Sequence, residues 1–362
     1  MKIPALVIDA DFWNGRRVLV TGHTGFKGAW LSLWLQSLGA RVSGMAPTPP
    51  TQPSFYELAR VGEHMDEHAV DVRDGPGVAT ALAAARPEVV FHLAGQPLVR
   101  RSLREPALTY EVNAMGTVNV LEAVRGAASA VTAVVVVTSD KCYANPGAAG
   151  RPFVEGDRLG GADPYSSSKA CAELISSAYR RSFFSSDDGP RLASARAGNV
   201  IGGGDWGEDR LIADGVRAVQ GGEPLMIRNP DAVRPWQHVL NPLAGYLALA
   251  QALYDGPAAA RAWNFGPPAH QARTVRWIVE HLVELWGGLD WRIDPAPAPA
   301  EEAHLSLDSG AAGRELDWHP AWDLADALAL VVEWHDAHAA GRDMREVSLV
   351  QIASFGEAAV HG

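Results

Sequence analysis

The sequence predicts an α/β protein with a doubly wound parallel sheet and a smaller C-terminal lobe. Short apolar runs rich in β-branched residues alternate with helix-like segments up to about Gly198. This alternation is typical of parallel sheets joined by right-handed crossovers. A glycine-rich loop follows the first apolar run, and beyond Gly198 the pattern changes to irregular stretches dense in tryptophan, proline and arginine. A second lobe that closes over the edge of the sheet is therefore expected.

The first strand and the loop after it predict a dinucleotide site. Arg17–Thr21 is typical of a buried strand, and Ala29–Leu38 of an apolar helix closed by Gly39. Glycines between a strand and a helix allow a tight turn and let a pyrophosphate approach the helix N-terminus. The pattern indicates a Rossmann domain, with a glycine-rich turn that binds no ligand as the alternative. The expected cofactor contacts in this loop are Gly22, Thr24, Gly25, Phe26 and Gly28.

The second and third strands leave the choice between NAD and NADP open. Arg41–Met45 is followed neither by the acid that binds the ribose hydroxyls of NAD nor by an arginine for the 2′-phosphate of NADP. Asp71 is expected to end the third strand, within Ala69–Asp74, and with Val72 to reach the adenine. A helix-capping or surface role for Asp71 is the alternative.

The fourth strand lies in Pro87–Gln96 and ends in small residues, which let a backbone pass close to a cofactor. Leu93 and Ala94 are therefore expected to contact the dinucleotide, and Gln96 the substrate. His92 is interpreted as a core histidine with satisfied hydrogen bonds. A helix is predicted over Pro106–Arg125.

The fifth strand carries the candidate chemistry. Val134–Val137 is apolar on both faces and runs into Ser139, Asp140 and Lys141. The carboxyl ends of parallel strands open onto the ligand crevice, so these three polar side chains are expected there together.

Tyr165 and Lys169 follow the fifth strand and are four residues apart. On a helix this spacing places both side chains on one face, one turn apart. The sixth strand is predicted at Arg191–Ala197.

The expected domain boundaries follow the change of pattern. Residues 1–198 with about 237–265 would form the dinucleotide-binding domain, and about 199–236 with 266–345 the substrate-binding lobe. Val275–Trp286 is expected to be a helix of this lobe, and Asp294–Glu301, with alternating proline and alanine, a linker-like surface stretch.

Composition excludes several classes of function. The chain has 362 residues, 47% of them hydrophobic, which suffices for a large core. A formal net charge of −11 and the lack of a basic stripe argue against a nucleic-acid partner. The amino terminus resembles neither a signal peptide nor a membrane span, and two cysteines, Cys142 and Cys171, fit a reducing cytoplasm.

The loop Gly22–Gly28 together with Tyr165–Lys169 resembles the extended short-chain dehydrogenase/reductase family of nucleotide-sugar enzymes. Within that family, Thr138–Tyr143, Ala197–Trp206 and Arg234–Val239 are similar to the 4,6-dehydratases that act on CDP-glucose. The similarity extends from about Trp13 to about Glu346. Two departures lie outside the catalytic set: Ser167 stands where many relatives have asparagine, and Leu305–Asp308 lacks a lysine often found there.

The resemblance implies a redox-neutral loss of water with NAD as cofactor, NADP not being excluded, and no metal. Tyr165 would take the proton of the C4 hydroxyl, with Lys169 lowering its pKa and Ser139 holding the same oxygen. Lys141 would then be the base at C5 and Asp140 the acid at the C6 hydroxyl. A fixed arginine and backbone or amide donors suit the substrate diphosphate. The expected substrate contacts besides Gln96 are Asn199, Arg210, Arg228 and Arg234.

Several alternatives stay open at this point. The Asp140–Lys141 pair also occurs in UDP-N-acetylglucosamine 4,6-dehydratases, so a UDP-sugar dehydratase or a 4-epimerase is an alternative, as is a non-catalytic NAD(P)-sensing regulator. An ordinary surface salt bridge at the strand end is the alternative interpretation of the pair. The resemblance also implies a homodimer or homotetramer that pairs the helices beginning at Pro106 and Tyr165 with their copies.

Overall fold

A parallel sheet of seven strands is the centre of the computed structural model, which describes residues 8–127, 131–145, 151–186, 189–295 and 305–361. Every neighbouring pair in this sheet is parallel, and its order is β7-β6-β5-β4-β1-β2-β3. The strands are β1 (Arg17–Thr21), β2 (Arg41–Met45), β3 (Asp66–His68), β4 (Val89–His92), β5 (Ala133–Val137), β6 (Arg191–Ala197) and β7 (Ala262–Phe265).

Helices cover both faces of the sheet and build the second lobe. The helices among the described residues are α1 (Ala10–Trp13), α2 (Phe26–Ser37), α3 (Phe55–Leu58), α4 (Gly75–Ala85), α5 (Val99–Arg104), α6 (Pro106–Tyr110), α7 (Gly116–Gly126), α8 (Pro164–Ser182), α9 (Leu211–Gly221), α10 (Leu240–Asp255), α11 (Val275–Trp286), α12 (Gly310–Glu315), α13 (Leu324–Ala339) and α14 (Met344–His361). The predicted helix end is confirmed at Gly39, which has a φ of 78°.

Alternate residues of each central strand enter different cores, as period-2 side chains must. In β5, Val135 and Val137 pack in the core shared with α2 and α10, whereas Val134 and Val136 pack in the core shared with α4 and α7. Burial on both faces explains why the strand is a continuous β-branched run rather than an alternating one. The predicted doubly wound parallel sheet is thus confirmed.

Two predicted elements differ in the structure. The third strand is Asp66–His68, so the prediction that Asp71 ends it is wrong; β3 instead begins opposite Ser43 of β2. The predicted helix from Pro106 is divided by a π-helical turn at Glu111–Met115, which places Asn113 under the sheet edge. Its side-chain oxygen accepts the backbone N–H of Gln96 at 2.8 Å, a tertiary contact that local helix propensity does not encode.

The described residues after β6 form three short two-stranded pairings besides the main sheet. Val200–Ile201 pairs with Gln237–His238, Val233–Arg234 with Arg273–Thr274, and Leu225–Ile227 with Trp291–Ile293. A separate apolar core joins α11 and α13 to these strands through residues such as Ile278, Leu282 and Leu328. Most of the linker-like stretch Asp294–Glu301 lies outside the described residues. Over the described ranges, no helix has both the length and the apolar character needed to cross a bilayer.

Candidate active site at the carboxyl edge of the sheet

The glycine loop after β1 forms a close-packed cradle. Gly22 has a φ of 75°, and a Cβ there would lie 2.7 Å from the backbone nitrogen of Ala94. A Cβ on Gly28 would lie 2.1 Å from the carbonyl oxygen of Gly22. Among the described residues no side chain caps α2 at Gly25, so the first N–H groups of the helix point into the cradle without a side-chain partner. The helix N-terminus therefore fits an anionic pyrophosphate, and the close packing of the loop backbone explains the glycines at both positions.

Leu93 and Ala94 form the wall of this cradle. The Ala94 N–H donates to the Thr21 hydroxyl at 3.2 Å, and the Leu93 N–H donates to the Thr21 carbonyl at 3.2 Å. Thr24 is buried and donates from its hydroxyl to the Pro47 carbonyl at 3.2 Å. The cofactor contacts predicted at these positions thus lie together around one loop.

Asp71 and Val72 lie in the turn between β3 and α4. The Asp71 carboxylate accepts hydrogen bonds from the guanidinium of Arg73, the shorter at 2.7 Å, and this neighbour holds the pKa of Asp71 below its usual value. The helix-capping role belongs to Asp74, whose side chain accepts the Gly77 N–H at 3.1 Å. The adenine contact of Asp71 stays a prediction.

His92 is a core residue, as predicted. Its Nδ1 lies 2.7 Å from the Thr21 hydroxyl and its Nε2 lies 3.2 Å from the Thr117 hydroxyl, and burial lowers its pKa to about 3. A neutral imidazole with both nitrogens hydrogen-bonded has no remaining part in the chemistry.

Ser139, Asp140 and Lys141 form a tight turn directly beyond β5. The Ser139 hydroxyl donates to Asp140 Oδ1 at 3.0 Å and accepts the Lys141 backbone N–H at 3.2 Å. Ser139 and Asp140 are buried, with Asp140 only 1% exposed, whereas Lys141 is half-buried. An aspartate this buried is not part of an exposed surface salt bridge.

Tyr165 and Lys169 enter the same region from the first turns of α8. Against the larger effect of burial, the nearby Ser139 side chain lowers the pKa of Tyr165, so the tyrosine lies beside the turn beyond β5. Burial raises the pKa of Tyr165 to about 12. Burial likewise lowers the pKa of Lys169 to about 8, and its Nζ donates to the Val137 carbonyl at 3.4 Å. Besides burial, the groups that act on the pKa of Tyr165 are Ser139, Arg210, Asp140 and Asp163, and the expected lowering by Lys169 stays a prediction.

Lys27 is a residue of this crevice that motif reasoning did not single out. Its Nζ donates to the Tyr246 hydroxyl at 3.1 Å. Burial lowers its pKa to about 7, and the charges of Lys169 and Arg210 lower it further, whereas Asp140 acts in the opposite direction. The one signal in the sequence was a charged residue within an otherwise uncharged glycine loop.

The predicted substrate residues fall into two groups. Arg210 lies at the entrance to α9, close enough for its charge to lower the pKa of Tyr165, and Asn199 connects β6 to the second lobe. Gln96 is buried, and both donors of its amide are used inside the protein, by the Leu98 carbonyl and the Thr109 hydroxyl. The Gln96 amide therefore stabilises the loop that contains it.

The other two arginines have protein partners in this structure. Arg228 faces Asp294 at 3.1 Å and Asp209 at 3.5 Å. Arg234 is buried, and its Nη1 donates to the Val233 carbonyl at 3.0 Å. A diphosphate contact from either one stays a prediction. The described residues contain no group of histidine, cysteine and acidic side chains that would hold a metal ion.

Comparison with known proteins agrees with this geometry. The family profile described as GDP-mannose 4,6 dehydratase matches residues 19–331. A CDP-glucose 4,6-dehydratase from Salmonella typhimurium is 48% identical over 359 residues, covering 96% of this chain and 98% of that protein. A dTDP-glucose 4,6-dehydratase from Streptomyces griseus is 28% identical and covers 89% of this chain and 94% of its own length.

Solved structures show the same fold. A UDP-glucose 4-epimerase from Thermus thermophilus, in complex with NAD, is 26% identical with a TM-score of 0.76, covering 88% of this chain and 99% of its own. The glycine cradle, the serine–aspartate–lysine turn and the tyrosine–lysine helix thus occur in a chain that belongs to the GDP-mannose 4,6-dehydratase family of nucleotide-sugar enzymes.

Proposed function

We propose that this protein is an NAD-dependent hydro-lyase that converts CDP-D-glucose to CDP-4-keto-6-deoxy-D-glucose. The observation that carries the proposal is the meeting of the Ser139–Asp140–Lys141 turn with Tyr165 in one buried crevice beside the glycine cradle. The near full-length similarity to a CDP-glucose 4,6-dehydratase supports CDP-glucose over other nucleotide sugars.

NAD fits the cradle because the α2 N-terminus offers N–H groups without a side-chain cap to the pyrophosphate, while Gly22 and Gly28 allow the close loop packing that forms the cradle. The relative solved with NAD supports the same cofactor here. When bound, NAD accepts a hydride from C4 of the sugar and later returns it to C6, so it is not consumed.

Tyr165 is the proposed base for the C4 hydroxyl proton. A phenol whose pKa is about 12 is almost wholly protonated at neutral pH, so it needs additional positive charge before it can act. Lys169 lies one helical turn away, and a bound nicotinamide ring is cationic, so both favour the phenolate. Ser139, which lies near Tyr165, holds the same sugar oxygen.

Asp140 and Lys141 are proposed to eliminate water across C5 and C6. The 4-keto group acidifies the C5 proton, which passes to the amine of Lys141. The C6–O bond then breaks, and the hydroxyl leaves as water with a proton from Asp140. This role requires Asp140 to carry a proton in the closed site. Hydride return to C6 and proton return to C5 complete the product.

The substrate diphosphate is assigned to Arg210 and Asn199, with Arg234 and Arg228 as further contacts. Arg210 is preferred because its charge already acts on Tyr165 and Lys27. The second lobe, residues about 199–236 and 266–345, would then hold the nucleotide over the sheet edge. We also propose a cytoplasmic location, in keeping with two cysteines that form no disulfide, Cys142 and Cys171.

We further propose that the protein is a homo-oligomer, with a homodimer as its unit. Four large apolar side chains on or beside the α5, α6–α7 and α8 segments are more than half exposed: Leu103, Met115, Leu174 and Phe183. Such a patch is typical of a protein–protein interface, and a second copy of the same helices would cover it. We expect Leu174→Glu to give monomers by light scattering, and an unchanged mass would contradict this interface.

Incubation with CDP-, dTDP-, UDP- and GDP-glucose, followed by mass analysis for the loss of water, tests the function. We expect a 4-keto-6-deoxy product from CDP-glucose. Simple inversion at C4 would instead identify an epimerase. Preference for a UDP-sugar would show that the nucleotide of the substrate is UDP rather than CDP. Tight NAD binding without turnover of any sugar would point to a regulator.

A further inference from the structure

A buried ion pair lies directly beneath the catalytic turn. Arg196 Nη2 and Glu173 Oε2 are 2.6 Å apart, and their side chains are 4% and 2% exposed. Removing two charges from water is costly, and replacing a buried pair by apolar residues of similar volume is often neutral or stabilising. The pair is therefore weak grounds for stability by itself, and its other contacts indicate what it does.

The pair is hydrogen-bonded to both ends of the turn that carries Ser139, Asp140 and Lys141. The Thr138 hydroxyl, directly before Ser139, donates to Glu173 Oε1 at 2.5 Å. At the other end, Arg196 Nη1 donates to the Tyr143 hydroxyl at 2.7 Å. The carboxylate and the guanidinium, which are bound to each other, thus hold the residue before the turn and the residue after it in place.

Glu173 also links the turn to the helix that carries the tyrosine. Tyr165, Lys169 and Glu173 follow one another at four-residue intervals on α8, so all three lie along one face. The position of Thr138 relative to Glu173 therefore sets the position of Ser139 relative to Tyr165.

The sheet anchors the other side of the pair. The Ser194 hydroxyl of β6 donates to Glu173 Oε2 at 2.8 Å, and Asn264 of β7 accepts the Tyr143 hydroxyl proton at 2.7 Å. Guanidinium and carboxylate each hold more than one partner in fixed directions, which a single neutral side chain would not reproduce.

We propose that Glu173 and Arg196 are positioning residues for the dehydration, holding the Ser139–Lys141 turn in register with Tyr165. This inference rests on the proposed function, because it names what that same site needs in order to work. The role proposed for the ion pair is to fix the geometry of the site rather than to increase the free energy of unfolding.

The first test replaces the whole pair with apolar residues, Glu173→Leu with Arg196→Met, so that no buried charge is left alone. We expect the melting temperature to be retained or raised. We expect kcat to fall by roughly 100-fold while KM changes little, because misplacement by about an ångström has costs of that order. Wild-type kcat in the folded double variant would overturn the proposal.

The second variant, Arg196→Lys, keeps the charge and the volume but loses the fork that reaches Glu173 and Tyr143 together. It keeps the proposal testable if the double variant does not fold. We expect it to fold and to lose kcat by roughly 10-fold, in the same direction as the double variant. Unchanged kcat with a lowered melting temperature would assign the pair a structural role only.

A matched control is the exposed pair Arg261 and Glu315, which are 2.6 Å apart and outside the site. Arg261→Met with Glu315→Leu should leave kcat unchanged. A crystal structure of the Glu173→Leu, Arg196→Met variant supplies a readout that needs no substrate. We expect a displaced turn in which Ser139 has moved away from Tyr165. If wild-type protein does not convert CDP-glucose, the proposed function fails, whereas an undisplaced turn defeats the positioning role alone.

Discussion

Gly198, at the start of the loop beyond β6, offers a direct test of Asp140 as the acid. Its φ lies outside the left-handed region, so alanine would meet no backbone strain there. A Cβ at this position would nevertheless lie 2.9 Å from Asp140 Oδ2 and 2.8 Å from Pro235 Cγ. The methyl group of Gly198→Ala would thus be wedged between the carboxylate and the proline ring.

The size of the displacement follows from these distances. Ordinary van der Waals contact begins at 3.4 Å, so the carboxylate must withdraw by 3.4 − 2.9 = 0.5 Å and the proline by 3.4 − 2.8 = 0.6 Å. Asp140 is 1% exposed and closely surrounded, which leaves it little room to recover its position. Catalytic geometry has tolerances of about 0.5 Å, so we expect elimination to slow by roughly 10- to 100-fold.

Separate measurement of the two half-reactions shows where the loss occurs. Oxidation at C4, followed by the absorbance of reduced nicotinamide, should persist, because the three atoms nearest the new methyl group belong to Pro235 and Asp140 and none belongs to Tyr165 or Ser139. Loss of water, followed by mass, should be slow, so the reduced cofactor should accumulate. Gly256→Ala is the control, since no atom lies within 4 Å of a Cβ there. Wild-type elimination by a folded Gly198→Ala protein would refute the assignment of Asp140.

Three further substitutions separate the remaining roles. Lys141→Met should keep cofactor binding but abolish solvent-deuterium incorporation at C5, because no other base is proposed there; undiminished exchange would remove Lys141 from that role. Tyr165→Phe should prevent the first oxidation, so no reduced-nicotinamide absorbance should follow addition of substrate, and its appearance would contradict the assignment. Gly28→Ala should weaken NAD binding in calorimetry at least 100-fold, because a Cβ would lie 2.1 Å from the Gly22 carbonyl oxygen; unchanged affinity would show that the cradle binds no pyrophosphate.

Local patterns were enough for most of the Rossmann elements. The run Arg17–Thr21 and the glycines after it are both local signals, and the structure has a strand and a helix start at those places. The third strand was misplaced because Asp66–His68 is short, polar and at the sheet edge, where it lacks the apolar run that marks a buried strand. The π-turn at Glu111–Met115 was missed because the contact of Asn113 with Gln96 joins residues far apart in sequence.

The residues of the candidate site also divide into those that local patterns predicted and those that depend on the fold. Residue type and spacing were sufficient to nominate Ser139, Asp140, Lys141, Tyr165 and Lys169, since these follow a strand end and a helical repeat. Spacing carried no information on Gln96, whose amide is used internally, or on Arg228, which faces two aspartates. Asp209 and Asp294 are 19 and 66 residues from Arg228, so the fold brings them close, whereas Leu98 and Thr109 are 2 and 13 residues from Gln96 and meet it through the local path of the chain.

The amino-acid order by itself determined the strand–loop–helix unit of the cofactor cradle and the carboxyl-edge placement of the polar turn, because both depend on neighbours within a few residues. Tertiary structure alone decided the protonation environment of that turn and the ion pair that holds it in position. Burial, which raises the pKa of Tyr165 to about 12, is a property of the packed crevice. The Glu173–Arg196 pair joins a helix to a strand more than twenty residues away, and only close packing of the two excludes the water that would otherwise weaken their attraction.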